Sequence, residues 1–360
     1  MKAVYIPPSR ATVSVSIIDT GSWVYNIPYK NFFSPLLDGL DTFDLCSYAF
    51  LVTHHGTDGE RRVLFDLGMR KDWENLVPAT VQTIKNWGCD MEMGKDVADI
   101  LVEHGEKLSD IEAIVWSHLH WDHIGNPSKF PNSVKVLVGP GVTEAHMPGW
   151  PEIGTAEFKE DDIKNHEVVE ISEDQFESEI GGMPAYDYFG DGSFYLLSAV
   201  GHSIGHLNAL ARTSIEHESY ILMAADSVHL GGEFRPSRAL PLPEVADEPG
   251  LSPWPCPKDI LLELHPKRSA TSPFFGLDPC FPFDFRKAKK TIERIQAFDA
   301  DDRVLVIFAH DVEIYNTLEY YPNLANDWYL QGWKLASRWK FLVDIQMAMK
   351  RHRARSTSGV

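Results

Sequence analysis

The sequence predicts an α/β fold, and three observations lead there. Residues 96–102 have helical spacing and stop near Gly105, after which 113–116 form a short apolar run of the kind that makes a buried strand. Further apolar runs at 134–138, 194–200, 220–225 and 304–309 read as strands. Runs ending at residues 116, 200, 225 and 309 are each followed closely by a metal-competent side chain, His118, His202, Asp226 and His310. Side chains gathered from strand ends make a site on a rigid edge.

Taken in order, 12–18 alternates as a half-buried strand does, and 47–52 with 62–65 read as a hairpin around His55-Gly56-Thr57-Asp58-Gly59. Between them, 23–43 is rich in aromatics, proline and glycine, and reads either as a packed surface loop or as a pocket wall. Residues 139–150 suggest a turn into a short helix, and the acidic stretch 157–179 a solvated face. The proline-rich segment 231–283 should be mostly loop, with a short helix at 258–264; long ordered loops serve as lids or as linkers. Helical spacing returns at 286–298 and 328–350, and Lys350-Arg351-His352-Arg353-Ala354-Arg355 reads as a frayed, solvated tail. The expectation is one domain over 1–360, with the proline-rich loop inserted at 231–283 and a helix at the C-terminus.

Composition narrows the function. With 360 residues, 44% of them hydrophobic and 11% aromatic, the chain can bury a large core. A formal charge of -19 argues against a nucleic-acid backbone or an anionic membrane as partner. No apolar run has the length of a membrane span and the N-terminal stretch lacks a signal-peptide core, so a cytoplasmic location is expected. Cys46, Cys89, Cys256 and Cys280 are far apart and form no C-x-x-C pair, as expected of free thiols.

The chemistry concentrates in Ser117-His118-Leu119-His120-Trp121-Asp122-His123. Two residues apart, His118 and His120 project to one side of an extended segment and can share an ion. Asp122 and His123 lie at the start of a following turn or helix, point away from the first pair and can hold a second ion. A lone histidine is best explained as a surface or hydrogen-bonded core residue. Three imidazoles and a carboxylate within six residues are not explained that way. Oxygen and nitrogen donors without thiolate suit zinc, with manganese, iron or cobalt as alternatives.

His118-x-His120-x-Asp122-His123, then Gly201-His202, Asp226 and His310, closely resembles the ordered signature of the metallo-β-lactamase superfamily, with Asp66 in Phe65-Asp66-Leu67-Gly68 at the place of its first motif. The match spans roughly residues 12–315. The resemblance implies an αββα sandwich holding two divalent ions. His118, His120 and His202 would bind one, Asp122, His123 and His310 the other, and Asp226 would bridge them. Asp66 would orient a ligand, and His206 would support the site without binding metal. Ala309-His310-Asp311-Val312-Glu313 and Asp226 look most like the N-acyl homoserine lactonase branch, which opens small cyclic esters. Fungal relatives similar to that branch open lactam or cyclic carbamate rings such as benzoxazolinones. Where the lactonases have a tyrosine three residues after the bridging aspartate, this chain has His229.

The expected activity is therefore metal-dependent hydrolysis of a small cyclic ester or amide by a hydroxide bridging the two ions. His229 would help stabilise the oxyanion, and Asp122 would carry a proton to the leaving atom. N-acyl homoserine lactone hydrolysis, the quorum-quenching activity, is the alternative within the family. Two alternatives lie outside it. Gly201-His202-Ser203-Ile204-Gly205 also fits a nucleophile elbow, with Ser203 as the serine of an α/β-hydrolase followed by Asp226 and His310. That reading expects a helix near 208–212 and leaves the metal cradle without a purpose. The second is a non-catalytic metal-bound protein holding a small apolar ligand, but seven candidate ligands shared by two ions leave room for water. Met147, Trp150, Trp254 and Phe274 are candidate pocket liners, and a homodimer is compatible with the aromatic N-terminal loop.

Overall fold

The computed structural model describes residues 3–358, with side chains through residue 354. Seven strands form the first sheet: β1 (Val13–Pro28), β2 (Thr42–Gly56), β3 (Gly59–Phe65), β4 (Asp90–Glu92), β5 (Ile111–Val115), β6 (Lys135–Val138) and β7 (Val168–Glu170), in the order β4-β1-β2-β3-β5-β6-β7. Six form the second: β8 (Ser178–Ile180), β9 (Met183–Asp187), β10 (Phe194–Ser198), β11 (Leu207–Ser214), β12 (Ser219–Met223) and β13 (Val304–Ile307), in the order β13-β12-β11-β10-β9-β8.

The strands read as near-continuous apolar runs because both of their faces are covered. Along β3, Val63 and Phe65 point into the gap between the sheets and meet Ile221 and Met223 of β12. Leu64, of opposite parity, joins the outer core with Ile114 and Val136. Helices α1 (Pro78–Trp87) and α2 (Val97–Glu103) cover that outer face with Ile84, Ala98 and Leu101. Two shorter helices, α3 (Trp121–Ile124) and α4 (Val142–His146), follow β5 and β6. On the far side, Leu222 and Val306 of the second sheet pack against Ala288, Ile292, Ile295 and Phe298 of a long helix. The layers run helix, sheet, sheet, helix.

Two sequence expectations need correction here. Residues 23–28 are not loop: β1 continues through them, pairing Trp23 with Cys46 and Ile27 with Phe43. Two irregularities in register, and left-handed backbone at Gly21 and Asn26, interrupt the alternation that would have marked a strand. Nor is 328–350 one helix. It is a 3-10 turn, then α8 (Trp333–Ser337) and α9 (Phe341–Ser358), separated at the left-handed Gly332 and again at 338–340. The basic tail expected to fray is helical as far as residue 358, with 351–354 exposed; the side chain of Arg355 lies outside the described residues.

The proline-rich segment contains only short elements, among them α5 (Gly231–Phe234) and α6 (Lys258–Leu264), the latter where helix was expected. It leads into α7 (Phe285–Ala300), whose first turn is capped by the Asp284 carboxylate accepting the N–H groups of Arg286 and Lys287. Arg235 ties the segment down. Its guanidinium donates to both carboxylate oxygens of Asp299 on α7, at 2.8 and 2.9 Å, and to the carbonyl of Arg338. The four cysteines are free, and among the described residues no helix is long and apolar enough to cross a membrane.

Arg235 is 7% and Asp299 3% exposed at the side chain, so Arg235→Ala leaves a buried, unpaired carboxylate. The expected loss is about 3–5 kcal/mol, read as a lowered urea midpoint, against no measurable change for Lys164→Ala at an exposed pair.

Candidate metal centre

The centre is assembled where strands of both sheets end. Asp66 follows β3 in a left-handed conformation (φ 60°) and its N–H donates to the carbonyl of Val115, the last residue of β5. One carboxylate oxygen accepts the Ser117 N–H at 2.7 Å; the other accepts the Ser117 hydroxyl and the His123 Nδ1–H, both at 2.8 Å. Asp66 thus sets the tautomer of His123 and turns its Nε2 inward. Because the Ser117 hydroxyl is given to Asp66, its oxygen accepts from His118 Nδ1 at 3.0 Å, which leaves the His118 Nε2 lone pair free. From His120 the chain enters α3, which carries Asp122 and His123 to the other side.

The second sheet supplies the rest. His202 is held beside α7 because Gly201, at φ 137°, has no Cβ; one would lie 2.1 Å from the Ala288 nitrogen. Asp226 follows β12 after Ala225, itself left-handed at φ 42°. His310, after β13, gives its Nδ1–H to the Cys46 carbonyl at 2.7 Å, so its Nε2 faces inward.

These side chains surround Asp226. One of its oxygens lies 2.9 Å from His123 Nε2 and 3.2 Å from His310 Nε2. The other lies 3.3 Å from His202 Nε2, 3.2 Å from His229 Nε2 and 3.7 Å from His118 Nε2. Donor atoms of His118, His120, His202 and Asp226 fall within 4.8 Å of one another, as do those of Asp122, His123 and His310. The two sets coincide with the pair of ligand groups expected from the sequence, with Asp226 lying between the groups.

Electrostatics fit a cation. His118 Nε2, His123 Nε2 and the Asp226 Oδ1 are buried without a hydrogen-bond partner among the described residues. Such a set is costly alone and favourable around a positive ion. Burial, with His123 and His120 nearby, holds His118 well below the ordinary histidine pKa; burial and then His120 do the same to His202, keeping both in the neutral form that binds metal. Burial would raise Asp226, but His123, His310 and His229 reverse this and hold it well below the usual carboxylate range. His123 is driven up, its burial overridden by Asp226 and Asp66.

His206 stays apart from both donor groups. Its Nε2 accepts the Asp226 N–H at 3.2 Å, and burial lowers it to about 3. His229 lies between two carboxylates: besides its contact with Asp226, its backbone N–H donates to Glu233 at 2.7 Å and its Nδ1 faces that carboxylate at 3.7 Å. Against its burial, Asp226 and then Glu233 push it up to about 10.

A cavity of about 310 Å³ opens onto His120, Asp122, Asp226, His229 and His310, with Phe32, Leu45, Trp121, Phe281 and the α1 face of Ile84 and Trp87 as apolar walls. Phe32 bears out the pocket-wall reading of its loop. Met147, Trp150, Trp254 and Phe274 do not line this cavity; Phe274 is core and Trp254 is 59% exposed. The α1 wall was missed, although proline at its first position and Gly88 after its end are start and stop signals. Glu157 also lines the cavity, and nothing in an acidic run distinguished it. Nor is that run merely solvated: Asp162 pairs with Arg70 at 3.0 Å, and Glu170 accepts the N–H groups of Gly141 and Thr143.

The nucleophile-elbow alternative fails on geometry. Residues 207–214 are a strand, not the helix it needs, and the Ser203 hydroxyl is buried with no partner among the described residues, while Asp226 and His310 face each other inside the centre.

Comparison with known proteins agrees with this architecture. The family model of the metallo-beta-lactamase superfamily matches residues 44–194. Gamma-lactamase FDB1 of Fusarium pseudograminearum is 40% identical over 349 residues, covering 95% of this chain and 84% of that protein. Cytochrome P450 monooxygenase mpaDE of Penicillium roqueforti is also 40% identical, over 352 residues, but the chain spans only 39% of its length. Among solved structures, a quorum-quenching N-acyl homoserine lactone hydrolase superposes with a TM-score of 0.53 at 17% identity, over 88% of this chain and all of that one, a likeness of fold. The chain belongs to the metallo-beta-lactamase superfamily and is one of its hydrolases.

Proposed function

We propose that this protein opens a small cyclic amide or carbamate ring, a lactam of the benzoxazolinone kind, at a centre of two divalent ions, with zinc the metal its nitrogen and oxygen donors suit best. The observation that carries the reading is the convergence of two donor groups at the floor of an apolar cavity of about 310 Å³. The Fusarium relative named gamma-lactamase supports a lactam; the fold shared with a lactone hydrolase makes N-acyl homoserine lactones the second candidate.

His118, His120 and His202 would hold one ion, Asp122, His123 and His310 the other, and Asp226 would reach both. Bound together, such ions supply a hydroxide nucleophile at neutral pH and polarise the substrate carbonyl. The surrounding side chains divide the remaining work. Asp66 and Ser117 keep His118 and His123 in the tautomers that offer Nε2. Asp122, which lines the cavity, would take the proton of the attacking water and return it to the leaving nitrogen, a transfer an amide needs more than an ester does. His229, at the cavity wall with Nε2 on Asp226, is assigned to the carbonyl oxygen that becomes negative in the transition state. The apolar walls exclude water and strengthen each of these interactions. The whole of 1–360 is taken to act as one catalytic unit.

Elemental analysis of the purified protein should give two divalent ions per chain, and chelation should abolish ring opening of a benzoxazolinone or a homoserine lactone. One ion or none in fully active protein would contradict the assignment. Asp66→Ala, which touches no substrate, should weaken metal binding roughly 10–100-fold in a competition titration against a chromophoric chelator. His229→Phe should lower kcat on the preferred ring with metal content unchanged; an unaltered rate removes the oxyanion role.

A further inference from the structure

Most of the polar groups facing the cavity are already committed. Asp122, Asp226, His120 and His310 approach one another within the centre, and His229, against Asp226, is the group assigned above to the substrate carbonyl. The Thr83 hydroxyl donates to the Ala79 carbonyl of its own helix. Glu157 differs. Its carboxylate lies 3.7 Å from His120 Nε2, outside hydrogen-bond range, and makes no hydrogen bond among the described residues. Among the described residues, no lysine or arginine lines the cavity to neutralise it.

Its position is built, not incidental. The next residue, Phe158, is 1% exposed and packs on Trp116, the residue between β5 and the ligand loop, with ring centroids 5.6 Å apart. Backbone bonds from the Trp150 N–H to the Phe158 carbonyl and from the Glu160 N–H to the Trp150 carbonyl clamp the segment on both sides. An acceptor is thereby held at the rim of the metal groups, in a cavity whose other walls are largely apolar.

A ring that enters such a cavity loses the water on its own polar edge. A ring N–H needs an acceptor there, whereas an ester ring oxygen would set lone pairs against a carboxylate. We propose that Glu157 accepts the ring N–H of the substrate and makes the enzyme selective for cyclic amides and carbamates with a free N–H over lactones and N-alkylated rings. This rests on the ring-opening function proposed above. Glu157 acts on recognition only: it takes no part in bond breaking.

Three matched substrates test it on the metal-loaded enzyme: benzoxazolinone, its N-methyl derivative, and the benzofuranone in which a methylene replaces the N–H. The wild type should favour the free N–H by roughly 10–100-fold in kcat/KM, and Glu157→Ala should erase that preference, mainly through KM, while sparing the other two rings. Glu157→Gln, still an acceptor, should keep part of it. Calorimetric binding of intact benzoxazolinone to the metal-stripped protein should weaken in Glu157→Ala by a similar factor. Since Glu157 is 36% exposed at the side chain, both variants should fold, with circular dichroism as the check. An equal loss on all three rings, or no loss on the free N–H ring, overturns the role of Glu157. A wild type that opens none of the three overturns the ring-opening function instead, and the inference with it.

Discussion

A carboxylate that is only 4% exposed stays ionised where positive charge or hydrogen-bond donors surround it, and Asp226 meets that condition with five imidazoles within 3.7 Å. The arrangement constrains everything near it. His118 and His123 come from one stretch of the chain and His202, His229 and His310 from three others, so the strand ends that deliver them must stop at the right level. Left-handed residues at Asp66, Ala225 and Gly201 make the sharp exits from β3, β12 and β10 that this demands. At Asp66 and Ala225 the strain of that backbone is offset by the bonds beyond it, Asp66 to Ser117 and His123 and Asp226 to His206, while Gly201 adopts it freely and its carbonyl accepts the Asp284 N–H just before α7.

Two regions of opposite character meet at this centre. Below the cavity lie imidazoles and carboxylates whose hydrogen-bonding capacity is only partly used; above it stand Phe32, Trp87, Phe281 and the apolar side of α1. Each makes the other more effective. Low polarity around the cavity raises the strength of every charge at its floor, and the charged floor gives an otherwise greasy pocket a direction in which a carbonyl will point. His229 belongs to both regions, packed at steep ring angles against Phe32, Phe33 and Phe281 while hydrogen-bonded to Asp226.

Much of this was legible in the amino-acid sequence because it depends on local periodicity and on order along the chain. Apolar runs followed by His118, His202, Asp226 and His310 announce strands and the ligands at their ends, and the spacing within 118–123 already separates two donor groups. What escaped depends on contacts between distant segments. Residues 23–28 of β1 were hidden by bulges that break the two-residue rhythm. Glu157 looks like any acid in an acidic run until Phe158 anchors beneath Trp116. The break between the 3-10 turn and α8 turns on Gly332, a single backbone angle inside a pattern that stays helical on either side. The pocket liners expected from aromatic content were misplaced because aromatic residues fill cores as readily as they line cavities.

The donor groups draw on both halves of the sandwich: His118, His120, Asp122 and His123 extend from the first sheet, His202, Asp226 and His310 from the second. Ions held by this set would act as rivets between the two layers, closing a very long stretch of chain into a loop. The stability of the molecule would then rise and fall with the free concentration of metal, as for any ligand that binds only the folded form. In a cell where metal is scarce, the supply of the ion would set how long the protein survives proteolysis as well as how fast it turns over.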